Sequence, residues 1–178
     1  MKNIEVEVKC FISKEQYEQL LDFFKKSGEF VDEDDQETYY FDAEQDLRIQ
    51  RNNSSSKLVL KSGKVHDYQR KEIEIKFEKA DFEKIEGLFS ALGYTVVIKW
   101  FRKRHNFRWQ DIDVSLDFTK GYGYILELEK MSDSQHQEKD LVLIREKLKL
   151  LKVTETFKGD FDKIYANYKE NWKRLIVE

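Results

Sequence analysis

The sequence predicts an α+β fold with a mainly antiparallel sheet, and three observations support this prediction. About eight segments alternate apolar and charged residues at the two-residue period of a half-buried strand. About four segments repeat apolar residues at helical spacing. Most connections between the predicted strands are too short for the crossovers that parallel strands require. Helices packed on an antiparallel sheet are therefore expected.

The composition favours one domain over residues 1–178 and argues against several classes of protein. Hydrophobic residues make up 40% of the chain and aromatic residues 14%, which is enough apolar surface to offset folding entropy. The net charge of −3 lacks the basic excess of a nucleic-acid or membrane-surface binder. A single cysteine, Cys10, excludes an intramolecular disulfide, and the N-terminus carries no apolar run of signal-peptide type. We therefore expect a cytoplasmic location.

The first part of the chain predicts a strand, a helix and three further strands. Residues 3–12 alternate as a strand does. Ser13 followed by Gln16 is the pattern of a capping box, and Gly28 ends the helix. The predicted apolar face of this helix contains Tyr17, Leu20, Leu21 and Phe24. The strands that follow are predicted at 37–41, 46–51 and 57–62, with a turn at 52–56.

The second part repeats the strand–helix pattern and then changes character. A strand over 69–78 precedes a helix that Asp81 begins and Gly93 ends. The predicted apolar face of that helix contains Phe82, Ile85, Leu88, Phe89 and Leu92. Three strands are then predicted at 95–109, 112–119 and 124–130, and two helices at 134–151 and 160–176. The sheet thus spans residues 3–130, and the C-terminal helices span 134–176.

Charged residues gather on one face of almost every predicted strand, because side chains two residues apart share a face. These faces contain Glu5, Glu7, Lys9, Arg48, Gln50, Lys57, Lys61, Arg70, Glu72, Glu74, Lys76, Arg102, Arg104, Asp113, Ser115, Asp117, Glu127 and Glu129. The opposite faces contain Val6, Val8, Ile49, Leu58, Leu60, Ile73, Ile75, Val114, Leu116, Leu126 and Leu128.

Two interpretations fit this pattern. The charges can form the solvated face of an ordinary sheet. Alternatively, eight strands can close into a barrel, with the helices covering the apolar outer faces and the charges inside. Paired acids repel one another unless cations neutralise them, and the doubled Arg102 and Arg104 suit an anion between them. In a barrel, the acids would hold a divalent metal and the cations would hold phosphate oxygens.

A family resemblance favours the barrel. Glu5-Val6-Glu7-Val8-Lys9 resembles the Glu-x-Glu-x-Lys signature of the CYTH family, the triphosphate tunnel metalloenzymes. The other strands resemble the family's strands in the same order, through Leu47-Arg48-Ile49, Leu58-Val59-Leu60-Lys61, Arg70-Lys71-Glu72-Ile73-Glu74, Arg102-Lys103-Arg104, Val114-Ser115-Leu116-Asp117 and Leu126-Glu127-Leu128-Glu129. The resemblance implies an eight-stranded antiparallel barrel, or tunnel, with about four helices packed outside.

The resemblance also implies roles for the charged residues, with Mg²⁺ or Mn²⁺ as cofactor and two ions bound with substrate. It assigns metal binding to Glu5, Glu7, Asp117, Glu127 and Glu129, and catalysis to Glu5, Glu7 and Lys9. It assigns triphosphate binding to Lys9, Arg48, Lys61, Arg70, Arg102 and Arg104, with Glu72 and Glu74 orienting those cations or joining a metal site. Two departures from the family pattern are Gln50 in place of a second arginine and Gly121-Tyr122-Gly123 in place of Gly-Leu-Gly.

The nucleophile decides the reaction that the resemblance implies. Water gives hydrolysis of inorganic, nucleoside or thiamine triphosphate, and this is the function we expect. The alternative is a class IV adenylate cyclase, in which the 3′-hydroxyl of ATP attacks and cyclic AMP and pyrophosphate form. A non-catalytic polyphosphate or nucleotide sensor is a second alternative, and a purely structural charged barrel is a third. The expected binding partner is a small-molecule triphosphate, and binding to nucleic acid or to a membrane is not expected. The chain is expected to be a monomer or a homodimer.

Other candidate residues give weaker signals. His66, His105 and His136 lack metal-ligand spacing and are interpreted as surface or loop residues. Cys10 lies on the apolar side of its strand, which favours a buried core thiol. The chain has no glycine-rich loop of the P-loop type.

Overall fold

The computed structural model describes residues 4–61 and 72–177, without the side chain of Glu72. The strands are β1 (Ile4–Ile12), β2 (Glu29–Phe41), β3 (Asp46–Arg51), β4 (Ser56–Lys61), β5 (Glu72–Phe77), β6 (Val96–Trp109), β7 (Ile112–Thr119) and β8 (Gly123–Ser132). The helices are α1 (Lys14–Ser27), α2 (Phe82–Ala91), α3 (Gln137–Leu150) and α4 (Lys158–Leu175). The predicted eight-stranded antiparallel sheet with four helices is confirmed. No described helix is long and apolar enough to cross a membrane.

The strand order of the sheet is β1-β8-β7-β6-β2-β3-β4-β5. This order ends at β1 and at β5, so hydrogen bonds among the described residues do not close the sheet. The chain also divides into two compact units. Unit 1 contains Met1–Glu33 and Lys103–Asn167, and unit 2 contains Asp34–Arg102 and Tyr168–Glu178. That the whole chain forms one domain therefore stays a prediction.

The core of unit 1 forms between the apolar faces of β1, β7 and β8 and the helices α1 and α3. The predicted capping box begins α1, because Ser13 Oγ accepts from the backbone N–H of Gln16 and the Gln16 side chain accepts from the N–H of Ser13. Gly28 ends the helix where a Cβ would lie 3.0 Å from the carbonyl oxygen of Phe24 and 3.4 Å from that of Arg108. The glycine is therefore required by close packing.

The C-terminal helices begin and end close to the predicted positions. The buried Ser132 hydroxyl donates to Asp140 Oδ2 over 2.6 Å, which ties α3 to the end of β8. Ile144 and Leu148 of α3 enter the unit 1 core as predicted. In the part of α4 that belongs to unit 1, Phe161 packs on Phe11 with ring centroids 4.5 Å apart.

The core of unit 2 is smaller, and here two predictions are wrong. Leu88 of α2 and Leu92, directly after this helix, were expected to be buried but are exposed. Ile73 and Ile75 on β5 were expected to lie under a helix, but they are 58% and 55% exposed. Phe82, Ile85 and Phe89 already fill the cluster that faces β3, and α2 is too short to cover β5 as well.

Asp81 occupies the N-cap position of α2, but its side chain makes no capping hydrogen bond. Its carboxylate accepts from Lys84 Nζ instead. Gly93 ends this region with a φ of 94°, a conformation that favours glycine.

Strand β2 is much longer than its predicted core of 37–41. Its first half is a run of acids with low strand propensity, so propensity gave no signal there. Long-range partners on β6 hold these acids. Within unit 1, Asn106 donates to Asp32 over 2.6 Å, and Lys103 pairs with Glu33 over 2.7 Å.

Candidate metal and phosphate site

The charged face of unit 1 is built by the pairing of β1, β8 and β7. Glu7 lies opposite Glu129, and Lys9 lies opposite Glu127. On the other side of β8, Asp113 lies opposite Glu129. Directly opposed residues of antiparallel strands project from the same face, so this register brings the side chains together.

Three of these glutamates form a compact cluster. Each of Glu7, Glu127 and Glu129 offers a carboxylate oxygen, and these oxygens lie within 4.8 Å of one another. Burial raises the pKa of Glu129 to about 8, helped by a hydrogen bond to Glu5 and by the charges of Glu5, Glu127 and Glu7. Without a cation, this part of the face thus disfavours the ionised form of Glu129.

The donor set fits a hard divalent cation. Carboxylate oxygens are the ligands that Mg²⁺ and Mn²⁺ prefer. Two oxygens on opposite sides of an ion with bonds of about 2.1 Å lie about 4.2 Å apart, close to the spacing of this cluster. Glu7, Glu127 and Glu129 could therefore hold one ion, with Glu5 beside them.

Two cations lie beside this cluster, and both have acidic partners. Lys9 Nζ is 2.9 Å from Glu7 Oε1 and 3.8 Å from Glu127 Oε2. Burial lowers the pKa of Lys9, but the charges of Glu127 and Glu7 outweigh it and the pKa is raised.

Arg104 makes a bidentate contact with Asp117, over 2.7 and 2.6 Å, and also reaches Glu127 at 3.1 Å. Burial opposes its charge, but the hydrogen bonds and charges of these acids raise the pKa of Arg104 overall. Asp117 is therefore held by an arginine and lies outside the three-glutamate cluster. The prediction that Arg102 and Arg104 bind an anion stays a prediction, and the described partners of Arg104 are the carboxylates of Asp117 and Glu127.

In unit 2 the predicted cations belong to separate contacts. Arg48 donates to the hydroxyl of Tyr40 over 2.9 Å and lies 3.4 Å from Asp46. Arg102 donates through Nε to Gln36 Oε1 over 3.0 Å. Glu74 pairs with Lys57 over 2.8 Å, and Lys57 is not one of the cations that Glu74 was predicted to orient.

Four further positions singled out in the sequence belong to this part of the chain. Lys61 is half-buried at the end of β4, and Gln50 lies opposite Lys57. Arg70 and the side chain of Glu72 lie outside the described residues.

A family model supports the resemblance drawn from the motifs. The model described as "CYTH domain" matches residues 3–160. The chain belongs to the CYTH family. A curated protein of Methanocaldococcus jannaschii, "Putative adenylate cyclase MJ0240", is 32% identical to this CYTH chain over 163 residues, which cover 85% of this chain and 91% of the relative.

Solved structures show the same fold. A conserved hypothetical protein from Pyrococcus furiosus is similar at a TM-score of 0.66 and 28% identity, covering 85% of this CYTH chain and 92% of its own. A Hippeastrum protein, HpAC1, is similar at a TM-score of 0.67 and 18% identity, covering 92% and 96%. It is described as a putative adenylyl cyclase with a dominant triphosphatase activity. At 18% identity, that likeness concerns the fold alone.

Neighbouring residues of β3 and β6 in this CYTH chain project to opposite faces, as strand alternation requires. Arg51 lies on the helix side, where its guanidinium stacks 4.4 Å from the ring of Phe82 and bonds to Glu83 of α2. Lys103 pairs with Glu33, away from the neighbouring Arg104. Lys71, which the same alternation places outward, lies outside the described residues.

The interpretation of His105 as a surface or loop residue is wrong. It is 5% exposed in β6, where its Nδ1 lies 3.0 Å from the Tyr17 hydroxyl and its Nε2 lies 3.3 Å from Glu33. The alternation of β6 carried the missed signal, because His105 has the parity of the helix side. His136 is exposed as expected, and His66 lies outside the described residues.

Cys10 is fully buried, as predicted, and burial raises its pKa to about 11. A polar network without a predicted role lies on the charged face of unit 1. In it, Ser115 donates to Asn106 over 2.7 Å and Asn106 donates to Asp32 over 2.6 Å. Asn106 shares the parity of Arg104 in β6, and this parity was the available signal.

Proposed function

We propose that this CYTH chain is a divalent-metal-dependent enzyme that hydrolyses inorganic or organic triphosphate. The observation that supports it most is the cluster of Glu7, Glu127 and Glu129 on one face of unit 1, with Lys9 and Arg104 beside it. Oxygen ligands for Mg²⁺ or Mn²⁺ thus adjoin cationic donors suited to phosphate oxygens. The substrate is a small-molecule triphosphate, and the cytoplasm is the expected location.

The residues of the chain have distinct tasks in this proposal. When bound, the metal neutralises charge on phosphate oxygens and lowers the pKa of an attacking water. Glu7, Glu127 and Glu129 hold it, and Glu5 supports Glu129. Lys9 and Arg104 donate hydrogen bonds to phosphate oxygens on which negative charge develops. Asp117 orients Arg104 through its bidentate contact.

The cations of unit 2 are proposed to bind the same class of substrate. Arg48, Lys61, Arg70 and Arg102 stand at positions where the CYTH strand motifs carry cations. Each would add a charge-assisted hydrogen bond of about 1.5–3 kcal/mol to triphosphate binding. The strand motifs support this part of the proposal. Its test is whether replacing each of these cations with alanine lowers the affinity for triphosphate.

A second candidate function is an adenylate cyclase. The Methanocaldococcus jannaschii relative carries that activity in its name, and HpAC1 is described as a cyclase candidate with dominant triphosphatase activity. Hydrolysis stays our first proposal because it needs only the charged face and a water molecule. Cyclisation also needs a pocket that orients the 3′-hydroxyl of the nucleotide.

Product analysis separates these functions. Purified protein is incubated with ATP or tripolyphosphate and with Mg²⁺ or Mn²⁺, and phosphate, pyrophosphate and cyclic AMP are quantified. We expect phosphate release that excess chelator abolishes. Cyclic AMP with pyrophosphate would instead establish the cyclase, and binding without any product would establish a sensor.

Two substitutions connect the activity with the cluster. Glu7→Gln keeps the size of the side chain but removes a ligand charge, so turnover should fall by about a hundredfold or more. Glu170→Gln, on the exposed surface of α4, is the matched control and should leave turnover unchanged. Equal rates for both variants would refute the assignment of the cluster.

A further inference from the structure

A chain of two hydrogen bonds crosses the charged face of unit 1 beside the glutamate cluster. Ser115 Oγ donates to Asn106 Oδ1 over 2.7 Å, and Asn106 Nδ2 donates to Asp32 Oδ1 over 2.6 Å. The three residues stand on β7, β6 and β2, which are neighbours in the sheet. The chain therefore runs from an exposed carboxylate, Asp32, to a half-buried hydroxyl, Ser115.

The carboxylate at one end fixes the direction of both hydrogen bonds. An ionised carboxylate accepts hydrogen bonds and donates none, so Asp32 requires the amide nitrogen of Asn106 to face it. The amide oxygen of Asn106 must then face Ser115, and an amide oxygen also only accepts. The serine hydroxyl therefore commits its single proton to Asn106. This direction follows from the donor and acceptor groups alone.

The oxygen of Ser115 keeps acceptor capacity on the face that carries the cluster. A hydroxyl oxygen has two lone pairs, and none of the described residues donates a hydrogen bond to Ser115 Oγ. Ser115 lies directly opposite Glu127, and the Cβ atoms of such a pair are about 4.5–5.5 Å apart. Lys9 lies opposite Glu127 on its other side. A hydroxyl that can only accept therefore adjoins the proposed metal and phosphate ligands.

We propose that Ser115 accepts a hydrogen bond from the water molecule that attacks the triphosphate, and that Asn106 and Asp32 are positioning residues that keep the hydroxyl in its accepting state. This inference rests on the proposed hydrolytic function and adds a group that orients the nucleophile. In the reaction, the water oxygen bonds to the terminal phosphorus, and the bond from that phosphorus to the bridging oxygen breaks. The electron pair of the broken bond leaves with the remaining diphosphate, and the water releases its proton to solvent.

Ser115 orients the water and does not take its proton. Its own hydroxyl proton is paired with an amide oxygen, which is too weak a base to relay a proton. A water that donates one O–H group to Ser115 has its lone pairs fixed in direction. Positioning of this kind raises the rate of the chemical step without strengthening substrate binding. The inference therefore predicts an effect on kcat and none on substrate affinity.

Steady-state kinetics of two serine variants test the role of Ser115. Ser115→Ala removes the acceptor, so kcat should fall about tenfold while KM stays unchanged. Ser115→Thr keeps a hydroxyl and should retain most of the wild-type kcat. Ser27→Ala, at an exposed position of α1, is the control and should match wild type. A wild-type kcat in Ser115→Ala would overturn the inference, and so would a Ser115→Thr variant that is equally slow.

Asp32→Asn tests the positioning chain at its far end. An asparagine at this position can donate as well as accept, so the amide of Asn106 is no longer held in one orientation. When that amide reverses, its NH₂ group donates to Ser115, and the hydroxyl proton turns towards the water. We expect kcat to fall about threefold, less than in Ser115→Ala, with KM unchanged. Asp22→Asn, which alters an exposed acid of α1, is the matched control, and equal kcat values for the two variants would overturn the role of the chain.

The direction of the chain can be measured by NMR without metal or substrate. A side-chain amide proton that donates to a carboxylate resonates downfield of one that donates only to water. Asp32→Ala should therefore move the amide protons of Asn106 upfield, whereas Ser115→Ala should change them little. The opposite result would show that the amide nitrogen faces Ser115, and it would overturn the inference whether or not the protein hydrolyses triphosphate.

Failure of this inference is distinct from failure of the proposed function. Metal-dependent phosphate release by wild type, with an unchanged kcat in Ser115→Ala, would refute the inference alone. A wild-type protein that hydrolyses no triphosphate would refute both.

Discussion

Glu129 shows how one side chain depends on its neighbours. In its sequence context, a strand of alternating leucine and glutamate, the pairing with Glu127 indicates repulsion but not its size. Pairing places it opposite Glu7 on one side and Asp113 on the other. Burial, the hydrogen bond to Glu5 and the surrounding charges then raise its pKa to about 8. The carboxyl therefore reduces stability at neutral pH, unless a cation binds.

Glu129→Gln tests this effect in metal-free protein. A carboxyl whose folded pKa is raised stabilises the folded state below the ordinary pKa of 4.5, and this contribution is lost as the pH rises to about 8. Because the glutamine does not titrate, the variant should match wild type only below about pH 4. Near pH 9 it should be more stable by about 1–2 kcal/mol, a figure reduced for solvent screening of a half-buried group.

Urea denaturation across this pH range, in the presence of chelator, measures the difference. Glu170→Gln should follow wild type at every pH. A Glu129→Gln variant that is less stable than wild type at high pH would contradict the predicted repulsion.

Single residues were predictable wherever alternation alone decides their position. Cys10 lies on the predicted apolar side of β1 because strand parity is local. The pairing of Arg104 with Asp117 was not predictable, since it requires the register between β6 and β7. His105 was misjudged because residue type alone was considered, without its parity.

At the scale of elements, β6 places two classes of side chain on opposite faces. Arg104 contacts Asp117 and Glu127, while Lys103 contacts Glu33 near α1. Neighbours in sequence should therefore respond differently to the same substitution.

Arg104→Ala should lower stability by about 3 kcal/mol, because it leaves two poorly exposed carboxylates without their cation. Under the proposed function it should also lower turnover by orders of magnitude. Lys103→Ala removes an exposed ion pair, so it should change stability by less than about 1 kcal/mol and turnover little. Chemical denaturation and turnover of the two variants check this contrast. Equal losses of stability and turnover in the two variants would contradict the different roles of the two faces of β6.

The start of α1 gives a second prediction at this scale. Ser13→Ala removes the side-chain half of the capping box and should lower the free energy of unfolding by about 1 kcal/mol. Ser27→Ala, at the exposed end of the same helix, should have almost no effect. The two midpoints of urea denaturation provide the measurement. A larger loss for Ser27→Ala would show that local capping does not govern this helix.

Elements with strong periodicity were predicted well, whereas the first half of β2 and the helical cover of β5 were not. The acids at 32–35 give the first half of β2 little strand propensity, whereas long-range partners on β6 hold Asp32 and Glu33. In α2, the spacing of Leu88 and Leu92 suggested a core face, but the sheet beneath does not extend to them. Helical periodicity predicts which residues share a face of the helix. It does not predict whether that face packs against the sheet or is exposed to solvent.

At the scale of the whole molecule, metal binding should raise the free energy of unfolding. A cation that binds only the folded state stabilises it by about 2.7 kcal/mol at a hundredfold excess over its Kd. For a chain of this size, this corresponds to an increase in Tm of roughly 5–10 °C. Differential scanning fluorimetry with Mg²⁺ or Mn²⁺ measures it without any substrate.

A Glu7→Gln/Glu127→Gln double variant should lose most of this increase in Tm, while Glu170→Gln should retain it. An unchanged wild-type Tm at saturating metal would leave the three-glutamate cluster without a cation.

The ion pairs of Lys9 and Arg104 have a consequence for the kinetics of association. In unit 1 these two cations are held by Glu7, Asp117 and Glu127 before any phosphate arrives. Under the proposed function, an incoming triphosphate must displace those carboxylates, so capture is an exchange of partners. Its rate should then lie well below the diffusion limit.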